Sequence, residues 1–469
     1  MRHTPPTFDP RAMRAIPTDI MSKYDVPGPR YTSYPTAPVW GDFSEDDFER
    51  ALSKSAASAR PLSVYLHLPF CESLCVYCGC NVVITKRREL ATQYVERLIA
   101  EMERTARLAD AAQRETVQVA WGGGTPTYLP PDQIERLMAT IARFFPLAAN
   151  AEIGIEVDPR VTTREHVAAI ARAGFNRISM GVQDFDPKVQ EEIHRVQPYE
   201  MTRDLIAWCR EDGIESINVD LVYGLPLQTA DSFDETIALV KTLSPDRISA
   251  FSYAHVPWLK PAQTKFRDET IPRGAEKFEI FTRLVEQMTA EGYEFIGMDH
   301  FAKPDNELAQ ALKTGALWRN FQGFTTKAGT DLVGMGVTSI ASFDDAFAQS
   351  VKELPAWSER IDAGRHATTR GMWLSGDDRI RRDVIQDIMC RYRFDADIVS
   401  ARAGIDAREY FADVIAGFPA LEADGMLVTD GRGGFELTSR GRLFVRNVCM
   451  PFDAHLGSPS DKPVFSRTI

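Results

Sequence analysis

SVYLHLPFCESLCVYCGCN, residues 63–81, joins a strand-like run to four cysteines at positions 71, 75, 78 and 80. In the first half Tyr65 and His67 are two residues apart and so share one face of a strand. Four of the chain's seven cysteines then fall within ten residues. Such crowding admits three chemistries: a disulfide knot, a closed metal cage, or a metal site left incomplete. The odd total speaks against a complete disulfide framework. Zinc ribbons and fingers pair two C-x2-C-like units far apart, and no second cluster follows here. Local thiolates on a tight loop suit an iron–sulfur cluster. The spacing C-x3-C-x2-C-x-C differs from the bacterial ferredoxin run, and by itself it leaves open which of the four thiols bind.

Outward from this stretch, short β-branched runs alternate with amphipathic helical patterns. Strands are expected over 63–70, 117–123, 152–158, 177–183, 216–224 and 247–256, with helices over 93–109, 131–145, 163–174 and 231–243. A helix over 276–292 and a strand over 294–302 continue the rhythm. Strand–helix alternation implies right-handed βαβ units and a parallel sheet. Six units in about 200 residues suit a barrel or partial barrel. A doubly wound sheet fits less well, because the glycine-rich turn WGGG follows the second strand rather than the first. Ahead of this region GPRYTSYPTAPVW (28–40) reads as an extended arm whose Tyr31, Tyr34 and Trp40 pack on something. From about 371 a helical stretch, a hairpin over 427–438 and a last helix over 439–449 suggest a winged-helix-like module. The expected organisation is therefore an α/β chain with an N-terminal arm (1–60), a catalytic domain (61–370) built on a partial (β/α)6 parallel barrel, and a mostly helical, winged-helix-like C-terminal domain (371–469).

The composition, 44% hydrophobic and 26% charged, is that of a globular protein. A net charge of −12 opposes general binding of nucleic acid or anionic membranes. It also means that a site for an anionic substrate must be locally positive against the mean field. The shape of the last module suggests DNA binding, but no basic recognition face accompanies it. No signal-peptide core and no run of about 18 apolar residues is present, so a cytoplasmic protein without a membrane span is expected. In a reducing compartment clustered cysteines are metal ligands sooner than disulfides. Cys209, Cys390 and Cys449 lie in helix-like stretches and read as small buried hydrophobes.

C-x3-C-x2-C after a strand, followed by βα units, resembles the radical S-adenosylmethionine superfamily. Within it, YLHLPFCESLCVYCGCN is similar to the oxygen-independent coproporphyrinogen III oxidase family. The likeness continues in GPRYTSYPT (28–36), WGGGTPTYL (121–129), IEVDPR (155–160), FNRISMGVQDF (175–185), VDLVYGLP (219–226), GMDHFA (297–302), NFQGFTT (320–326), GMGV (334–337) and RNVCM (446–450). It covers all but the first 20 residues or so. The resemblance implies that Cys71, Cys75 and Cys78 hold three irons of a 4Fe–4S cluster, and that the fourth iron chelates S-adenosylmethionine. A vacant position is where chemistry occurs at a catalytic metal.

The same resemblance assigns Tyr65, Gly123, Gly124, Thr125 and Glu156 to one S-adenosylmethionine, with Ala254 and Ile340 lining its adenosine. It assigns Gln183, Arg195 and Asp220 to a second molecule, against which Tyr77 stacks; the family residue there is often Phe. Cys80 belongs to the motif without being a ligand and is a candidate proton or hydrogen relay. His67, His255 and His300 read as core histidines. Arg30, the 86–88 basic run and Arg319 are candidate partners for substrate carboxylates. The implied reaction is anaerobic oxidative decarboxylation of the ring A and B propionates of coproporphyrinogen III to vinyl groups, giving protoporphyrinogen IX in haem biosynthesis. It proceeds through a 5′-deoxyadenosyl radical made by reductive cleavage of S-adenosylmethionine at the cluster. An unactivated Cβ–H bond requires such a cofactor. The electron would come from a protein such as a flavodoxin or ferredoxin, and a monomer is expected. Two rivals are a related radical haem-handling protein, which would typically lack Cys80 and the GPRYTSYPT arm, and a non-enzymatic metal- or nucleic-acid-binding protein.

Overall fold

The computed structural model describes residues 5, 7–14, 16–457 and 465–468. Six strands lie parallel and in sequence order: β1 (Leu62–Leu68), β2 (Thr116–Gly123), β3 (Leu147–Val157), β4 (Arg177–Gln183), β5 (Ser216–Tyr223) and β6 (Arg247–Ser252). The helices α1 (Arg88–Leu108), α2 (Pro131–Phe144), α3 (Arg164–Arg172), α4 (Tyr199–Glu211), α5 (Ala230–Leu243) and α6 (Ala275–Ala290) follow the six strands in turn. Their starts are marked chemically. Pro131 occupies the first turn of α2, and Thr163 and Thr229 close capping boxes on α3 and α5. In α2 the buried residues Ile134, Leu137, Met138 and Ile141 recur at helical spacing and pack that face on the sheet.

A parallel sheet sandwiched between helices is apolar on both faces. Here the two faces differ. Val64, Leu66, Val119, Trp121, Ile155, Ile178, Met180, Ile217, Val219 and Ile248 occupy one set of alternate positions and are buried in the hydrophobic core. The intervening positions, among them Tyr65, His67, Gln118, Glu156, Ser179, Asn218, Asp220 and Ser249, line a central cavity. The strand period of two thus separates a packing face from a ligand face.

The strand Asp331–Met335 adds in parallel to the free edge of β1. The antiparallel strands Ile340–Ser342, Ala346–Ser350, Thr368–Trp373 and Gly41–Asp42 extend that side. At the other end His300–Ala302 and Glu294–Gly297 follow β6, giving thirteen strands in all among the described residues. No pairing joins the two outermost strands among the described residues, so the barrel is partial. The expectation of one strand over 294–302 is corrected: Gly297 (φ 144°) and Met298 (φ 52°) turn the chain back, making two antiparallel strands.

Tyr31, Tyr34 and Trp40 of the N-terminal segment are buried. That segment is tied to the far end of the chain. Gly28 N donates to Ser466 O at 3.1 Å, Thr468 N to Val26 O at 2.9 Å, and Arg446 Nε to Pro29 O at 2.9 Å. The C-terminal region comprises a helix Gly376–Arg391, shorter helices, and a small sheet in which Phe435–Leu437 pairs with both Arg393–Phe394 and Leu427–Thr429. Phe394, Phe411, Phe418, Phe435 and Phe452 form its aromatic core. Cys209, Cys390 and Cys449 are fully buried.

Candidate active site

The inward face of the sheet, the cysteine loop and the 318–325 hairpin enclose a cavity of about 1010 Å³, at the upper end of small-molecule sites. All fifteen residues assigned to the cluster, to S-adenosylmethionine or to the relay line it: the four cysteines, Tyr65, Tyr77, Gly123, Gly124, Thr125, Glu156, Gln183, Arg195, Asp220, Ala254 and Ile340. They gather at the C-terminal ends of the strands, the catalytic end of barrel folds.

The cysteine loop leaves β1 and is clamped to the end of β2. Gly124 N donates to Leu68 O at 2.8 Å and Thr125 N to Phe70 O at 2.9 Å. A Cβ on Gly124 would sit 2.6 Å from the backbone carbon of Pro69, so only glycine permits this approach. Each of three sulfurs has a donor beside it. Cys71 Sγ lies 3.4 Å from Thr125 Oγ1, and Cys78 Sγ accepts from Cys80 N at 3.4 Å. Cys75 Sγ accepts from Arg160 Nη2 at 3.3 Å and from Arg195 Nη1 at 3.7 Å. Burial pushes the Cys71 thiol up to about 11. The Cys80 thiol, donating to Cys78, pulls Cys78 down to about 6, and the same bond raises Cys80. Cys80 O accepts from Lys260 Nζ at 2.9 Å.

Beyond the loop, Glu156 Oε2 accepts from Gly123 N at 3.2 Å. Glu156 opens onto the cavity yet lies deep in the protein; that depth, with the Asp220 charge, pushes its carboxyl up to about 7. Burial also raises Asp220, against hydrogen bonds from Ser179 Oγ at 2.8 Å and Asn218 Nδ2 at 2.7 Å. Tyr65 OH is 3.2 Å from His67 Nδ1, whose Nε2 faces Asn81 O at 3.0 Å. Burial drives His67 down to about 4, so it is a neutral ring at physiological pH. Arg195 bonds Asp158 at 3.0 Å and Gly181 O at 2.7 Å, while its buried Nε has no hydrogen-bond partner among the described residues. Gln183 ends β4 in a left-handed conformation (φ 70°). Tyr77 packs beside Val76, Ile193 and Val222.

The charge problem posed by the composition is resolved locally. Seven cationic side chains, Arg30, Arg160, Arg177, Arg195, Arg247, Lys260 and Arg319, line the cavity against the four carboxylates Glu152, Glu156, Asp158 and Asp220. Arg30 and Arg319 are thus in the cavity, whereas residues 86–88 are exposed outside it, where Arg88 pairs with Glu72. Asp158, Arg160, Arg177, Arg247 and Lys260 escaped the sequence reading. Strand alternation could have found two of them: Arg177 and Arg247 share the register of Ser179 and Ser249 and form the floor, pairing with Glu307.

The chemistry of the residues present fits an iron–sulfur cluster with a small-molecule partner: three clustered thiols with a donor beside each sulfur, a glycine-rich strand end, and the Arg195 guanidinium in the wall of the same cavity. The comparisons agree. The family model described as the Radical SAM superfamily matches residues 65–240. Fold and site together place the chain in the radical S-adenosylmethionine class. Oxygen-independent coproporphyrinogen III oxidases from Salmonella typhimurium and Escherichia coli are 45% and 44% identical to it, each over 96% of this chain and 98% of the relative. The solved Escherichia coli coproporphyrinogen III oxidase (HemN), described as a radical SAM enzyme, superposes with a TM-score of 0.88 at 44% identity, covering 91% of this chain and 98% of that one. The chain belongs to the oxygen-independent coproporphyrinogen III oxidase family.

Proposed function

We propose that this protein converts coproporphyrinogen III to protoporphyrinogen IX without oxygen, turning two propionates into vinyl groups by oxidative decarboxylation. A 4Fe–4S cluster and S-adenosylmethionine are its cofactors; when bound they supply one-electron, hydrogen-abstracting chemistry that no side chain can perform. Cys71, Cys75 and Cys78 would hold the cluster. Tyr65, Gly123, Gly124, Thr125, Glu156, Ala254 and Ile340 would hold one S-adenosylmethionine, and Tyr77, Gln183, Arg195 and Asp220 a second. Cys80, alone of the four loop cysteines in having no ligand role, is the candidate relay of a proton or hydrogen atom to the substrate.

The observation that carries this reading is the single cavity. One chamber of about 1010 Å³ contains the three thiols, the glycine-rich strand end and a surplus of cations suited to a tetracarboxylate. The chain's own contribution is placement and exclusion. The floor pairs of Arg177 and Arg247 with Glu307 close one end. The arm and C-terminal region pack together, and Arg30 and Thr32 of the arm reach the cavity wall. Shielding of this kind keeps water and stray hydrogen donors from a reactive intermediate. Residues 61–370 would form the catalytic domain, with 1–60 and 371–469 as its cover. A flavodoxin or ferredoxin would deliver the electron, to a monomer in the cytoplasm. Among the described residues no helix is long and apolar enough to cross a membrane.

The test is anaerobic turnover of coproporphyrinogen III by reconstituted protein with S-adenosylmethionine and a reductant, counting 5′-deoxyadenosine and vinyl groups. Equal counts are expected. Consumption of S-adenosylmethionine with no vinyl product would reject the assignment of substrate.

A further inference from the structure

One cation in the cavity has no hydrogen-bond or ion-pair partner for its guanidinium among the described residues. Arg319 is 2% exposed, yet its Nε and Nη1 are buried without a hydrogen bond. No ion pair reaches it among the described residues; its neighbour Arg30 is already paired with Asp299. Its backbone is anchored and its side chain lies against an aromatic ring. Arg319 lies in the hairpin Trp318–Asn320/Gly323–Thr325, its guanidinium sits 4.6 Å from the Phe324 ring centre, and its carbonyl accepts from Gln386 Nε2 at 2.6 Å. Burial and the charge of Arg30 pull it down to about 10, which leaves it cationic at neutral pH. A buried, unpaired guanidinium is costly, and the cost is recovered only when an anion arrives. The planar fork fits a carboxylate. Phe251, Phe321 and Phe324 line the cavity around it and offer ring faces to a flat tetrapyrrole.

Resting on the functional reading above, we propose that Arg319 anchors a substrate propionate, and that it is one of those not decarboxylated. The second half follows from charge. A guanidinium gripping a carboxylate destined to leave as CO2 would stabilise the ground state and lose its partner as the reaction proceeds, raising the barrier. A propionate that survives keeps its partner from substrate to product. Arg319 is therefore a positioning residue that sets which edges of the macrocycle face the cysteine loop.

The experiment uses anaerobic, cluster-loaded protein, with coproporphyrin III, its tetramethyl ester and S-adenosylmethionine as probes. Arg319→Gln is expected to weaken coproporphyrin III binding about 10- to 100-fold, the range for losing a charged hydrogen bond. The KM for coproporphyrinogen III should rise with it while kcat changes little. The ester should bind wild type and variant alike. S-adenosylmethionine affinity should not move, since the carboxylate belongs to the tetrapyrrole. Unchanged coproporphyrin affinity overturns the proposal, and so does a loss confined to S-adenosylmethionine. Should Arg319→Gln fail to load its cluster, Arg319→Met replaces the unpaired charge with an apolar stem and must show the same loss. Failure of wild type to convert coproporphyrinogen III refutes the functional reading; conversion by wild type with an indifferent Arg319→Gln refutes only this anchor.

Discussion

Gly124→Ala isolates the link between fold and chemistry. The added Cβ would lie 2.6 Å from Pro69 C, 2.7 Å from Pro69 O and 2.8 Å from Phe70 O, all backbone atoms that cannot swing aside. Restoring a carbon–carbon contact of about 3.5 Å requires the end of β2 and the start of the cysteine loop to part by about 0.9 Å. The hydrogen bonds Gly124 N to Leu68 O and Thr125 N to Phe70 O would stretch with them, displacing Cys71, the next residue. Overpacking of this kind costs about 1–3 kcal/mol of stability. A displacement near 1 Å at a reacting centre costs about 100-fold in rate. The assays are iron content of the anaerobic protein, thermal unfolding, and vinyl formation from coproporphyrinogen III. Gly41→Ala is the control, because a Cβ there meets nothing within 4 Å. Gly124→Ala with wild-type iron content and turnover within about twofold would refute the argument that this close approach sets the loop.

Three further outcomes are expected. Cys80→Ala should retain its cluster, as judged by iron content, but lose about 100-fold in turnover if the thiol relays a proton or hydrogen; full turnover would remove it from the mechanism. Glu101, buried and accepting from Gly336 N at 2.8 Å, is pushed up to about 7 by desolvation. Its raised value means that protonation favours the fold, so its share of stability is full below about 4.5 and falls away as pH climbs through 7. Glu101→Gln should flatten that slope and stabilise the protein at pH 8 by up to about 3 kcal/mol in urea titrations. An unchanged pH profile would contradict it. Asp331→Asn should destabilise by about 3–5 kcal/mol, because it removes the carboxylate that neutralises the buried Arg114 charge, paired with Asp331 at 2.8 Å where both side chains are 1% exposed. A loss below 1 kcal/mol by chemical denaturation would show the pair to be dispensable.

The six parallel strands were legible because each is short, β-branched and followed by an amphipathic helix. β4 begins and ends where the pattern places it. β3 starts earlier than expected, at Leu147, because LAANA has no apolar alternation and is recruited by pairing of Leu147 with Thr116. The strand Asp331–Met335 was not foreseen as a neighbour of β1, since nothing local encodes a partner about 270 residues away. At the site, the cysteines and WGGG announced themselves through spacing. Arg160 and Asp158 did not, because a DPR tripeptide reads as a turn until Cys75 and Arg195 are brought against it. Arg319 could be named a candidate, but its lack of a partner is a property of packing, not of sequence.

The most direct test is electron–nuclear hyperfine spectroscopy of the reduced, reconstituted protein with S-adenosylmethionine isotopically labelled at its amino nitrogen and carboxylate. Cluster ligation by Cys71, Cys75 and Cys78 alone predicts resolved coupling to both labels, and the same coupling in Cys80→Ala. No coupling at saturating S-adenosylmethionine, or loss of the cluster in Cys80→Ala, would contradict it.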